Sequence, residues 1–400
     1  MLHTKSTNYD RFFCIAGDCP ESCCTGWQIM IDEDSLERYR DIVEQKAIGI
    51  GEELRDIGLE ADYPLSAQDA PELVSEAGDA EKKELRTYLH EVLETSVDWE
   101  EGCFKHENGR CVLMTESGLC TLQRAFGEGA LCKTCARYPR HMEEFDGVRE
   151  WSLSLSCPEA ARLILSQKET LKFMEWETEE EDDPEDYEDF EYLFYDKLVA
   201  AREAVYAVVQ DREIGFRVKA LALAAFGTQM QDLVDYGDLA GMDEAIAALP
   251  ELVEEIAAHA AAARIAERAE TNAEEIEGDP LEKELFSKMF ELEILRDGWL
   301  DVVDRTWKNW DSGLELNNEQ EIQAEQLLMF WIYSYFCGAV YDGMVYSKLM
   351  LAICSTWWIF QINAAHAFAG GLVESAYKFA REIEHSDENL NALEEWFDHG

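Results

Sequence analysis

Over most of this chain apolar residues recur every three or four positions, the spacing of amphipathic helices. From Tyr192 onward, stretches rich in Ala, Leu and Glu predict helices at 192–211, 213–234, 250–275, 281–296, 318–341, 349–368 and 372–385, with Pro250 and Pro280 placed near helix starts. No fixed-period repeat links them, so they read as an irregular bundle. Upstream, Leu36, Tyr39, Ile42 and Val43 fall on one face of a helix predicted over Ser35–Ala47, with Asp32 or Asp34 as its cap, and Glu81–Ser96 also reads as helical. The period drops to two over Val148–Ser156, where Val148, Trp151, Leu153 and Leu155 alternate with polar residues, so a short strand is predicted there. Cys157-Pro158 ends that strand and opens a helix through Ala160–Ser166, since proline suits the first helical position. Leu327–Tyr341 and Leu349–Ile362 are apolar almost throughout. Both fall short of the ~20 residues of a membrane span, and Asp342, Lys348 and Gln361 interrupt the run, so they are expected as buried core helices.

The predicted fold is mainly α. An irregular cysteine-rich N-terminal domain with a short strand or hairpin (1–170) leads through an acidic linker (171–191) to an irregular helical bundle (192–400).

Charge changes the picture of partners more than of fold. The 400 residues carry 85 acidic against 34 basic side chains, a formal net charge of −51. Such a chain repels nucleic acid and favours basic partners, a lysine-bearing protein among them, although a generally acidic proteome would produce the same excess. The stretch Glu175–Glu191 alone holds 12 acidic residues; it is expected as a solvated linker, with docking of a basic partner as a second reading. The N-terminus, MLHTKSTNYDRFFC, has no apolar signal region, so a cytoplasmic location is expected. In that reducing compartment twelve cysteines are expected to bind metal rather than to form disulfides.

Nine of those cysteines fall in two bursts. Cys14, Cys19, Cys23 and Cys24 have the spacing C-x4-C-x3-C-C; Cys111, Cys120, Cys132 and Cys135 have C-x8-C-x11-C-x2-C, and Cys157 follows alone. Clustered thiolates are soft ligands, suited to an iron–sulfur cluster or to zinc, and nine exceed the needs of one four-ligand site. Phe12, Phe13, Trp27 and Tyr138 flank them and could shield such a centre. The C-x3-C-x2-C pattern of the common radical enzymes is not met, because Gly26 stands where its third cysteine would be. Cys337 and Cys354 lie far away in apolar helices and are expected to be core.

The segments FFCIAGDCPESCCTGWQIMID (Phe12–Asp32), GRCVLMTESGLCTLQ (Gly109–Gln123), LCKTCARYPR (Leu131–Arg140) and SLSCPEAARLIL (Ser154–Leu165) resemble the flagellin lysine-N-methylase family, within a wider set of cysteine-cluster proteins. The resemblance covers about the first 165 residues. It implies a cytoplasmic protein-lysine N-methyltransferase that acts on flagellin, takes its methyl group from S-adenosylmethionine and carries a cysteine-ligated [4Fe-4S] cluster. The alternative is a non-catalytic zinc- or iron-binding module with a helical partner-binding domain. The G-x-G turn of a Rossmann-type methyltransferase is not evident, so a donor pocket would be built differently.

Methyl transfer to lysine requires the neutral amine, whose ordinary pKa is near ~10.4; an apolar or aromatic channel would favour it. Trp27 and Tyr138 are candidates for such a channel, and Arg140, or Arg137, for pairing with a donor carboxylate; shielding of the cluster and plain salt bridges are their simpler roles. Asp32 reads as a helix cap, His106 and His141 as ordinary loop histidines, and no residue is singled out as catalytic base.

Overall fold

The structure, a computed structural model, describes residues 1–44, 79–268 and 279–399. It is mainly helical with a few short strands, the fold class expected. Residues 45–47 of the helix predicted over Ser35–Ala47, and residues 269–275 of the one predicted over 250–275, lie outside the described residues.

The chain forms two compact units. One comprises Asp10–His141 and Leu153–Ala160; the other comprises Met1–Tyr9, Met142–Ser152 and Ala161–Gly400. This division departs from the expected boundary at residue 170, because the first strand and the strand at 148–153 pair within the helical unit.

In the cysteine-rich unit, α1 (Glu33–Val43) begins where the side chain of Asp32 accepts the Ser35 N–H, the cap expected from sequence. Further helices are α2 (Asp79–Ser96), α3 (Thr121–Phe126) and α4 (Lys133–Arg137). They enclose a core of Ile29, Ile31, Tyr39, Leu89, Leu93, Phe104 and Leu122 that also takes in Cys111 and Cys132. The short helix α5 (Pro158–Ser166), which belongs to this unit only as far as Ala160, opens with Pro158 at its first position, as expected.

The other unit holds a four-stranded sheet of β1 (Leu2–Ser6), β2 (Arg140–Phe145), β3 (Val148–Leu153) and β4 (Phe173–Glu177), in the order β2-β3-β1-β4. β1 runs parallel to β3, with Leu2 opposite Val148, and antiparallel to β4, with Leu2 opposite Glu177. Asp146-Gly147 joins β2 to β3; Gly147 sits at φ +70, where a Cβ would be strained. The expected acidic linker therefore contributes a strand, because Phe173 and Trp176 find ring partners in Tyr333 and His3.

The bundle consists of α6 (Tyr192–Val209), α7 (Phe216–Asp235), α8 (Leu239–Arg268), α9 (Trp299–Lys308), α10 (Asn318–Tyr335), α11 (Val345–His366), α12 (Gly371–Ile383) and α13 (Asp387–His399). α11 is its axis: every residue from Leu349 to Ile362 is buried, and α7, α9, α10, α12 and α13 pack on it. The strongly apolar stretches are thus core, and among the described residues no helix is long and apolar enough to cross a membrane.

Three local expectations are corrected. Pro250 lies inside α8 and not near a helix start, because the helix begins at Leu239, where Asp238 accepts the Gly241 N–H. The helix expected at 281–296 is a 3-10 stretch, Lys283–Phe290. The helix expected over 318–341 breaks after Tyr335 into a 3-10 turn, Phe336–Gly338, before a short helical piece at Ala339–Asp342. Lys348 then returns to pair with Asp342 at 2.8 Å and with buried Glu394 at 2.6 Å.

Candidate thiol site

All nine clustered cysteines belong to the cysteine-rich unit. The first burst lies on tight turns. Ala16 adopts a left-handed φ of 46, and its N–H donates to Cys14 Sγ at 3.4 Å. Cys19 closes the following 3-10 turn with its N–H on Ala16 O, while its Sγ donates to Glu21 O at 3.2 Å. Ser22 Oγ accepts the Cys24 N–H at 3.2 Å, and Trp27 Nε1 donates to Cys23 O at 2.7 Å, so an indole is anchored to the backbone of the cysteine pair.

The second burst is held by backbone pairing and helix starts. The Cys111 N–H donates to Cys24 O at 2.8 Å, which ties the bursts together. Cys120 and Cys132 stand at the N-caps of α3 and α4, and Cys135 lies on α4. Cys157 immediately precedes α5, with its N–H on Ser154 O.

The thiols sort into two groups by which of them feel one another. Cys23 senses Cys24 most and then Cys14 and Cys157, and Cys157 senses Cys19 and Cys14. Cys24, Cys111, Cys120, Cys132 and Cys135 form the second set. Neighbouring Cys23 and Cys24 face different sets, and a hydrogen bond between their side chains joins them. That bond holds Cys24 down to about 7 and pushes Cys23 well up. In the same way a hydrogen bond from Cys135 lowers Cys132, helped by backbone N–H groups of α4, while Cys135 is raised. Burial pushes Cys111 and Cys157 up to about 12 and Cys120 to about 11. Burial thus disfavours the thiolate at Cys111, Cys120 and Cys157, while Cys24 and Cys132 are the thiols held toward it.

The donor chemistry suits an iron–sulfur cluster or zinc, but the side-chain placement does not: among the described residues no three or more His, Cys, Asp or Glu side chains are grouped to hold a metal ion. A metal would require the sulfurs of one group to turn toward a common centre.

The three residues expected around a cofactor have structural partners. The Trp27 and Tyr138 rings lie 5.8 Å apart, and Tyr138 Oη shares a 3.0 Å hydrogen bond with Ser156 Oγ, next to Cys157. The Arg140 guanidinium lies over the Phe12 ring at 5.1 Å. Burial lowers the pKa of His106, keeping it neutral. Sequence reasoning missed Ser22 and Ser156; the only hint was a hydroxyl within two residues of a cysteine.

Asp32 does more than cap α1. Its Oδ2 also accepts the Lys133 N–H at 2.8 Å, beside Cys132. Burial raises its pKa, but the N–H donors of Lys133 and Ser35 outweigh that and leave it below the usual carboxylate range. The carboxylate thus stabilises the fold at neutral pH, and this contribution is lost as the pH falls through the lowered folded pKa. Asp32→Ala should cost about 1–2 kcal/mol at pH 7 in urea unfolding, with a smaller gap from wild type in strong acid. Equal stability of the two proteins at pH 7 would contradict this role.

Fold and site together define a thiol-rich unit carried in one chain with a helical bundle. Residues 202–400 match the FliB lysine N-methylase C-terminal domain. The chain belongs to this lysine N-methylase family. It is 25% identical over 176 residues to the lysine-N-methylase of Salmonella typhimurium, covering 43% of this chain and 34% of that protein. It is 24% identical over 172 residues to the flagellar biosynthetic protein FliU of Salmonella muenchen, covering 42% of this chain and 79% of that one. The match to the lysine-N-methylase of Salmonella choleraesuis is 23% identical, over 43% of this chain and 34% of that protein. The chain thus spans about a third of the length of the lysine-N-methylases it matches. No solved structure matches it.

Proposed function

We propose that this chain is a cytoplasmic, S-adenosylmethionine-dependent protein-lysine N-methyltransferase that acts on flagellin, and that its thiol-rich unit holds a [4Fe-4S] cluster. The observation that carries the reading is the family match over residues 202–400, in a chain whose thiols gather in a separate unit. The flagellar name of one relative supports a flagellar substrate. In this reading one thiol group supplies the cluster ligands, and the paired rings of Trp27 and Tyr138 beside it exclude water where a neutral amine is needed. The second reading is a non-catalytic zinc- or iron-binding module with a helical partner-binding domain; it is motivated by the lack of a G-x-G donor-binding turn in the sequence and by thiolates that suit zinc as well as iron.

The test is incubation of anaerobically purified protein with flagellin and S-adenosylmethionine labelled in its methyl group. Label on lysine ε-nitrogens is expected. No donor binding would favour the second reading, whereas donor binding with no label on lysine would count against flagellin as the substrate.

A further inference from the structure

The helical unit carries a feature that methyl transfer does not explain: a knot of aromatic rings that reaches solvent inside the most acidic part of the chain. Phe190 is its hub, with ring centroids of Tyr192 at 5.1 Å, Tyr195 at 5.4 Å, Tyr187 at 5.9 Å and Tyr341 at 6.1 Å. Tyr341 also stacks on Phe145 at 6.0 Å, within 5° of parallel. Tyr192 and Tyr341 are nevertheless 56% and 58% exposed, and neighbouring Leu193 is 68% exposed. Burying such rings would be the ordinary outcome of folding, so a group of them left at the surface marks a contact surface.

The setting defines the partner. Both exposed tyrosines have their hydroxyls tied down: Tyr192 donates to the Asp146 carboxylate, and Tyr341 donates to Glu144 O at 2.6 Å. What they present to solvent is therefore ring surface. Between Phe173 and Asp196 the sequence has no lysine or arginine, and exposed Glu188, Asp189 and Glu191 flank the hub directly. Ring faces carry negative potential and attract cations, and carboxylates around them strengthen the field. Carboxylates alone would take any cation; rings among them favour an alkylammonium, whose methylene stem packs on an aromatic face while its charge meets the acids.

We propose that this aromatic surface, built from Tyr187, Phe190, Tyr192 and Tyr341, docks a lysine-bearing segment of a partner protein. The docking is independent of methyl transfer: it needs neither donor nor thiol chemistry, and it is measured without either. If the chain methylates lysine, the surface is where such a substrate is held.

The test is binding of a fluorescein-labelled lysine-rich peptide to the full chain, read by anisotropy without any donor. The same peptide acetylated at every lysine is the control. The unmodified peptide should bind, more weakly at ~500 mM than at ~50 mM salt, and the acetylated one should not. Tyr192→Ala and Tyr341→Ala should each weaken binding roughly 3- to 5-fold, and the Phe variants of both should bind like wild type. Tyr192→Leu and Tyr341→Leu preserve apolar volume and serve if an Ala variant fails to fold; they should also bind weakly. Three results would overturn the proposal: no binding of the unmodified peptide, equal binding of the acetylated one, or Leu variants that bind like wild type. The last would reduce the surface to a general acidic field. Failure of labelled-methyl transfer with the peptide still bound would count against the enzyme reading and leave the docking surface standing.

Discussion

Glu150→Ala should destabilise the helical unit by about 3–5 kcal/mol, the largest effect expected of any single substitution outside the thiols. Glu150 on β3 and Arg202 on α6 form a bidentate pair, with both N–O distances 2.5 Å. Each side chain is almost wholly buried, at 3% and 6% exposed. The guanidinium also faces the rings of Tyr206 at 5.9 Å and Tyr333 at 5.6 Å, and Tyr333 Oη is 3.0 Å from Thr4 Oγ1 on β1. The pair therefore fastens the sheet to the bundle. Burial opposes the charge on Arg202, but Cys337, Tyr206 and Glu150 together more than offset this and keep the guanidinium charged. Truncating Glu150 leaves that charge buried with no counter-ion, and this desolvation rather than the lost bond sets the magnitude. Replacing both residues by Met removes both charges and should restore much of the loss. Thermal or urea unfolding of the single and double variants checks this. A Glu150→Ala protein within ~1 kcal/mol of wild type would show the pair to be inconsequential.

The second large effect is expected at the thiols. Serine at Cys24, Cys111, Cys120 and Cys132, which belong to the five-membered group, should abolish methyl transfer if that group holds the cluster. Serine at Cys14, Cys19, Cys23 and Cys157 tests the other group in the same way. One set of variants should lose bound iron entirely, while Cys337→Ser and Cys354→Ser should retain iron and activity at wild-type levels. Those two thiols are only 1% and 0% exposed, and burial pushes Cys337 up to about 12, so they behave as small apolar side chains. The readout is iron per chain and activity beside the far-ultraviolet circular dichroism, which separates a lost ligand from a lost fold. Serine variants of both groups that retain full iron content would sink the assignment of these nine residues as ligands.

Much of the fold was legible because its signals are local. Asp32 announces α1 by a side chain that satisfies a helix N–H, Pro158 announces α5 by its fixed φ, and the apolar run from Leu349 to Ile362 can be nothing but core. The sheet was mostly hidden. In β1 the buried positions are His3, Thr4, Lys5 and Ser6, polar residues that burial makes tolerable only through distant partners. His3 stacks on Trp176 at 5.0 Å and accepts from Trp151 Nε1 at 3.1 Å, and neither contact can be read from a five-residue window. β4 was masked in the same way: charge counting over 171–191 outweighed the ring partners of Phe173 and Trp176. In the thiol unit the spacing of the cysteines does not show how they divide. Adjacent Cys23 and Cys24 fall in different groups although a hydrogen bond joins their side chains, and sequence spacing shows neither fact. The docking rings were likewise scattered, with Phe145 and Tyr341 separated by some two hundred positions and joined only by the fold.

Metal and sulfide analysis of anaerobically purified protein, with its visible absorption spectrum, tests most directly the proposal that the thiol unit holds a [4Fe-4S] cluster. The expected result is a brown protein with about four iron and four sulfide per chain. A colourless protein carrying zinc alone, or no metal, would contradict it.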